Sequence, residues 1–203
     1  MKFAIINGSH RHDSQSAKVT GFLARTLATE GLCETVWRYD LTGNPLPLWE
    51  ESIWEADPAW EERLAPIRRE LAGSDALIVV SPEWHGMAPA GLKNFFLMLS
   101  AREVGHKPAL IVTVSSGIGG AYPVAELRMS SYKNNRLCYI PEHLIIRNVE
   151  QVLNEDGDND EEADTYFRER ARFALRILRE YATALRAVRE SGVTFDERFK
   201  NGM

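Results

Sequence analysis

The chain has 203 residues, of which 44% are hydrophobic and 26% charged, and its formal net charge is −5. That length buries one sizeable core, and the composition is that of a globular chain rather than a disordered one. The negative balance offers no broad attraction to nucleic acid or anionic membranes, and two distant cysteines, Cys33 and Cys138, make neither a disulfide framework nor a zinc cluster. No apolar run approaches the roughly 20 residues of a membrane span. The opening MKFAIINGSH turns polar after a short apolar run, unlike a secretory leader, so a cytoplasmic protein with reduced, partly buried thiols is expected.

In chain order, KFAIIN (2–7) reads as a strand, bounded by the turn formers Asn7 and Gly8. It runs into NGSHRHDSQS (7–16), ahead of a helical pattern over 14–31. The start of a helix exposes unpaired N–H groups and the positive end of the dipole, so an anion is favoured there. Ser9, Ser14 and Ser16 add hydroxyl donors, Arg11 adds a charge-assisted fork, and Gly8 permits a close backbone approach. A plain N-cap by Asp13 or Ser14 is the rival reading. His10 and His12 also raise a metal, but no third ligand lies nearby in the sequence. The loop has no G-x-G-x-x-G, no G-x-x-x-x-G-K-[ST] and no cysteine nucleophile.

ETVWRY (34–39) is the second strand. The connection LPLWEESIWEADPAW (46–60) carries Trp49, Trp54 and Trp60, which either pack over the sheet or meet a second subunit. A helix over 58–73 leads to DALIVVS (75–81), continuously apolar as a doubly covered strand is. Next come SPEWHGMAPAGLKNFF (81–96), a bent exposed loop, and a helix over 88–104. PALIVTVS (108–115) is the fourth strand, followed by the glycine-rich VSSGIGGAY (114–122) and a helix over 120–135. EHLIIR (142–147) is the fifth strand. The acidic NEDGDND (154–160) is a loop without the spaced ligands and closing Glu of a calcium site. The last helix spans 161–190, with Phe167, Ala171, Ala174, Leu175, Leu178, Ala182 and Leu185 on one face. Arg168, Arg172, Arg176 and Arg179 share another, diluted by glutamates into a solvated surface.

Five strands alternating with helices predict one α/β domain over 1–203, a flavodoxin-like three-layer α/β/α sandwich. Its five-stranded parallel sheet has the order 2-1-3-4-5. In such sheets ligands bind outside the carboxyl ends of the strands. Three loops then face one crevice, the first suited to a phosphate and the other two, with bare glycine backbone, to a planar ring. A mononucleotide with a large ring system fits that division.

At these residues the sequence resembles the NAD(P)H-dependent FMN reductases of flavodoxin-like fold, over roughly residues 2–150. The family's G-S-x-R-x-x-S-x-S is matched by Gly8, Ser9, Arg11, Ser14 and Ser16. Its S-P-E-Y-N-G-x-x-P-x-x-L-K-N is matched by Ser81, Pro82, Glu83, Gly86, Pro89, Leu92, Lys93 and Asn94, with Trp84 in place of Tyr and His85 in place of Asn. A Ser- and Gly-rich loop is matched by Ser115, Ser116, Gly117, Gly119 and Gly120.

The resemblance implies a bound FMN and NAD(P)H as co-substrate. It places Ser9, Arg11, Ser14, Gln15 and Ser16 around the phosphate. Pro82, Glu83, Trp84, His85 and Gly86, with Ser115, Ser116, Gly117, Gly119 and Gly120, border the ring. The backbone N–H groups of 83–86 and 116–120 then face its polar edge. Hydride moves from the nicotinamide to the flavin, and a free flavin, quinone or similar small acceptor takes the electrons. No side chain is required as acid, base or nucleophile; His85 is a candidate modulator, and Glu83 is expected to orient its loop. A homodimer or homotetramer with the flavin near a subunit boundary is also implied, without a nucleic-acid or membrane partner. Two alternatives stand beside this reading: a one-electron carrier that does not oxidise NAD(P)H itself, and a metal-dependent hydrolase using His10 and His12.

Overall fold

The computed structural model of the protein describes residues 1–55, 57–155 and 157–201. Five strands, β1 (Lys2–Asn7), β2 (Thr35–Asp40), β3 (Ala76–Pro82), β4 (Pro108–Val114) and β5 (Cys138–Ile146), form one parallel sheet in the order β2-β1-β3-β4-β5. The fold and strand order are those expected from the alternation of apolar runs. β3 and β4 are buried along their whole length, because helices cover both faces of the sheet.

On one face, α1 (Gln15–Thr29) and α6 (Glu161–Glu190) pack Val19, Phe22, Leu23, Leu175 and Leu178 over Ile5, Ile78 and Val112. On the other, α2 (Pro58–Ala72), α3 (Ala90–Leu97), α4 (Ala101–Val104) and α5 (Ala121–Met129) pack Leu64, Leu71, Phe95, Val104 and Leu127 over Ile6, Val79 and Ile111. The two cores share the sheet, and its alternating side chains divide between them.

Three elements differ from the sequence expectation. The helix expected over 88–104 is two helices, because Ser100 starts a new one: its hydroxyl caps Arg102, while its own N–H donates to Glu103 Oε2 at 2.7 Å. The helix expected over 120–135 ends at Met129, where Ser130 and Ser131 return their hydroxyls to the carbonyls of Glu126 and Leu127 at 2.7 and 3.1 Å. The fifth strand begins at Cys138 rather than 142. Pro141 interrupts its pattern, and the register slips between Ala109 and Ile111. Proline cannot donate to a ladder, and an edge strand with a bulge is where it is tolerated.

The arginine row of α6 is a solvated surface: Arg168 pairs with Asp164 at 2.7 Å, and Arg176 and Arg172 pair with Glu30 at 2.6 and 3.4 Å. The tryptophans divide. Trp60 is buried, with its indole N–H on Ser52 Oγ at 2.9 Å, whereas Trp54 is 78% exposed and meets the half-buried Trp49 edge to face. Ala56 in that connection and Asp156 in the acidic loop lie outside the described residues. Cys33 and Cys138 are free and half-buried, and burial raises both thiol pKa values. No helix is long and apolar enough to cross a membrane among the described residues.

Candidate functional site

The β1–α1 loop is held to its strand by its own side chains. Asn7 donates from Nδ2 to Asp40 at 2.8 Å and accepts the Ser9 N–H at 3.2 Å; the Arg11 N–H points at Ser9 Oγ, 3.4 Å away. Gly8 is demanded by packing: a Cβ there would stand 2.8 Å from Leu92 and 2.9 Å from the Val80 carbonyl oxygen. Ser14 is the N-cap of α1, its Oγ accepting from Ala17 at 3.1 Å. The N-cap reading therefore holds, at Ser14. The capping oxygen is an acceptor, so its own O–H stays available to an anion, as do the N–H groups of Gln15 and Ser16 in the first turn. Oε1 of Gln15 is buried without a partner among the described residues. Arg11 is exposed, and no described carboxylate pairs with it.

After β3 the chain makes a two-residue hairpin. Trp84 and Met87 exchange N–H···O bonds of 3.1 and 2.9 Å, and His85 and Gly86 between them have φ of 51° and 72°. Positive φ at both central residues is the mark of a type I′ turn, whose favoured pair is Asn-Gly. His85 thus takes a left-handed position that Asn accepts more readily than most residues. Tyr122, exposed at the start of α5, lies 3.9 Å from where a Gly86 side chain would begin.

Glu83 ties this loop to the next. Its N–H reaches the Val114 carbonyl at 3.0 Å, and its Oε2 accepts from the Gly120 N–H at 2.7 Å. A Cβ on Gly119 would lie 2.5 Å from Glu83 Oε1, so glycine is what lets the carboxylate in. Gly120, with φ of 105°, opens α5 and leaves no room for a side chain beside Ile145. Ser115 Oγ accepts from Gly117 at 3.2 Å.

These bonds correct part of the sequence reading. The N–H groups of Glu83, Trp84, Gly117 and Gly120 are spent inside the protein. Those of His85, Gly86, Ser116, Ile118 and Gly119 have no partner among the described residues. Pro82 ends the buried β3.

Other motif residues also build the frame. Lys93 pairs with Glu126 at 2.7 Å, and the other oxygen of Glu126 accepts the Ala88 N–H, also at 2.7 Å. Burial opposes ionisation of Glu126, yet these two partners hold its pKa below the usual value. The buried Asn94 takes the Trp49 N–H at 2.8 Å and donates to the Pro47 carbonyl at 2.7 Å. Sequence reasoning had no signal for Glu126 or Tyr122, since their partners meet only through tertiary packing. His10 and His12 look to different neighbours: His10 lies against Gly91 and Trp84, His12 near Gly43. No group of three or more metal-binding side chains occurs among the described residues.

The donors of the first loop suit a phosphomonoester, and the space beside Gly117, where a Cβ would meet nothing within 4 Å, suits a planar group. An open parallel sheet with such a helix start and two such loops at its carboxyl edge defines a flavodoxin-like protein that binds a mononucleotide. The family described as NADPH-dependent FMN reductase matches residues 1–151. The chain belongs to that family, and it is an oxidoreductase that uses FMN and NAD(P)H. It is similar to the NADPH azoreductase of Bacillus sp. (strain OY1-2), 24% identical over 80% of this chain and 84% of the relative. It is also similar to the 2-hydroxy-1,4-benzoquinone reductase of Burkholderia sp, 29% identical over 78% of this chain and 85% of the relative. Among solved structures, the flavoenzyme NAD(P)H:(acceptor) oxidoreductase of Paracoccus denitrificans has the same fold, with a TM-score of 0.68 at 21% identity over 90% of this chain and 97% of the other.

Proposed function

We propose that Ser9, Arg11, Ser14, Gln15 and Ser16 hold the FMN phosphate. Trp84, His85 and Gly86, with Ser115, Ser116, Gly117, Gly119 and Gly120, border the ring. NAD(P)H and a small planar acceptor then use the open face in turn. FMN, when bound, supplies the centre that takes hydride and returns electrons. The chain's residues do the rest. The N–H groups of Gln15 and Ser16 and the Arg11 guanidinium fix the phosphate, and the free N–H groups of Ser116, Ile118 and Gly119 favour negative charge at the ring edge. Glu83 keeps the two ring loops at a constant separation.

The observation that carries this reading is the start of α1, where first-turn N–H groups and the exposed Arg11 have no partner among the described residues, at the same sheet edge as two glycine-bearing loops. Curated relatives named for quinone and azo reduction point to a flat conjugated acceptor, a quinone or free flavin. We infer further that residues 1–203 act as one unit, since α6 packs on the same sheet as the site. The exposed Trp54 and Leu48 offer an apolar contact for a homodimer or homotetramer. Free thiols fit a reducing compartment such as the cytoplasm.

The test is to release and identify the flavin from purified protein and to follow NAD(P)H oxidation with quinone and flavin acceptors. One FMN per chain with acceptor-dependent turnover supports the reading. FAD, or NAD(P)H oxidation that no acceptor stimulates, contradicts it.

A further inference from the structure

Gly91 stands in the first turn of α3 at a backbone conformation that does not require glycine. Glycine there costs the helix about 1 kcal/mol relative to alanine. A methyl group at this position would lie 2.1 Å from Nε2 and 2.7 Å from Cε1 of His10, and 3.1 Å from Oδ1 of Asn44. The imidazole therefore fills the space that a side chain would take. The same ring meets the Trp84 indole edge to face, with centroids 5.4 Å apart and planes at 81°. The His10 carbonyl accepts from Gly43 at 3.0 Å, and Nε2 is buried without a hydrogen-bond partner among the described residues. His10 thus joins the first loop to the 41–44 turn through its carbonyl, and to the start of α3 and the Trp84 indole through its ring.

We propose that His10 is a positioning residue for the ring side of the site: seated against Gly91 as a neutral ring, it sets where the Trp84 indole stands and couples the phosphate loop to it. This rests on the reading above in which Trp84 borders the flavin. A charged imidazole does not suit the seat, because its Nε2 is buried without a partner at the positive end of a helix. The titratable groups of the surrounding segments are Arg11, His12 and Asp13 on its own loop, Glu83 and His85 after β3, and Lys93 in α3. Residues 41–44 carry none. Burial alone lowers the His10 pKa. The folded value lies below the unfolded one of about 6.5, so the seat is fully kept above about pH 6.5 and is lost as pH falls through the folded value.

Wild type, Gly91→Ala and His10→Leu are compared by FMN titration at about pH 7.5 and about pH 5, on either side of the imidazole range. Each is also melted without FMN. Gly91→Ala is expected to melt no lower than wild type, since alanine favours the helix, yet to bind FMN about tenfold more weakly, or roughly 1.4 kcal/mol. It should also shift the absorbance bands of the bound flavin. His10→Leu is expected to lose less affinity on acidification than wild type; the phosphate of FMN titrates alike with both and cancels. Gly91→Ala that folds and matches wild type in affinity and spectrum overturns the proposal. If Gly91→Ala melts lower, the pH arm decides, and His10→Leu with the pH dependence of wild type overturns it. Wild type that takes up no FMN at all overturns the functional reading first, and this inference with it.

Discussion

Arg11 is the plainest test at the level of single residues, because no described carboxylate shares its guanidinium. Arg11→Ala is predicted to weaken FMN binding by roughly 1.5–3 kcal/mol, the range for a hydrogen bond to a charged group. Fluorescence titration checks it, and unchanged affinity removes Arg11 from the cradle. His85 has a different place. The sequence shows only that His replaces the Asn of the resembling family; the structure shows a left-handed turn position that Asn favours. His85→Asn is therefore predicted to keep FMN bound and to melt no lower than wild type. Its acceptor preference or pH–rate profile should change, because an ionisable ring leaves the rim. Identical profiles for every acceptor would make His85 a turn residue only. Ser9, Arg11 and Ser14 stand out in the sequence because they lie close together in one short loop, beside a helix start. The bond from Glu83 to Gly120 was not, because it depends on β3 and β4 lying side by side.

Among the elements, α1 matters most, since its first turn is both a helix start and the proposed phosphate site. Ser14→Ala removes the cap and is predicted to cost about 1 kcal/mol of stability in the FMN-free protein. Urea denaturation reads that loss directly, and FMN titration should show a second loss from the missing hydroxyl. An Ala variant as stable as wild type would mean that the cap contributes nothing. The five strands were legible as short apolar runs between turn formers, and α6 because its helical periodicity runs long. The break before α4 was legible in principle: Ser100 and Glu103 spell a capping box, but an unbroken apolar pattern hid it. The early start of β5 was hidden by Pro141, which reads as a breaker until the strand is known to lie at the edge.

For the molecule as a whole, the candidate site and a buried lysine sit at opposite edges of the sheet. The site occupies the carboxyl edge, while Lys107 is buried just before β4 at the other, its Nζ donating to the carbonyls of Leu71 and Ala72 at 2.6 and 2.7 Å. Burial first, and then Arg189, pushes its pKa down to about 8. An unfolded lysine titrates near 10.4, so between about pH 8 and 10.4 the unfolded chain holds more protons than the folded one. The contribution of Lys107 to stability therefore rises with pH across that window and is flat below it. Denaturation curves at several pH values should show a smaller rise for Lys107→Met; an equal rise would place the titration elsewhere. On the proposed reading, this sheet holds FMN where NAD(P)H and a flat acceptor reach it in turn. Visible absorbance of the purified protein under anaerobic conditions tests that most directly. A yellow protein that NADPH or NADH bleaches and a quinone restores is expected; a colour that neither nicotinamide nucleotide bleaches would rule it out.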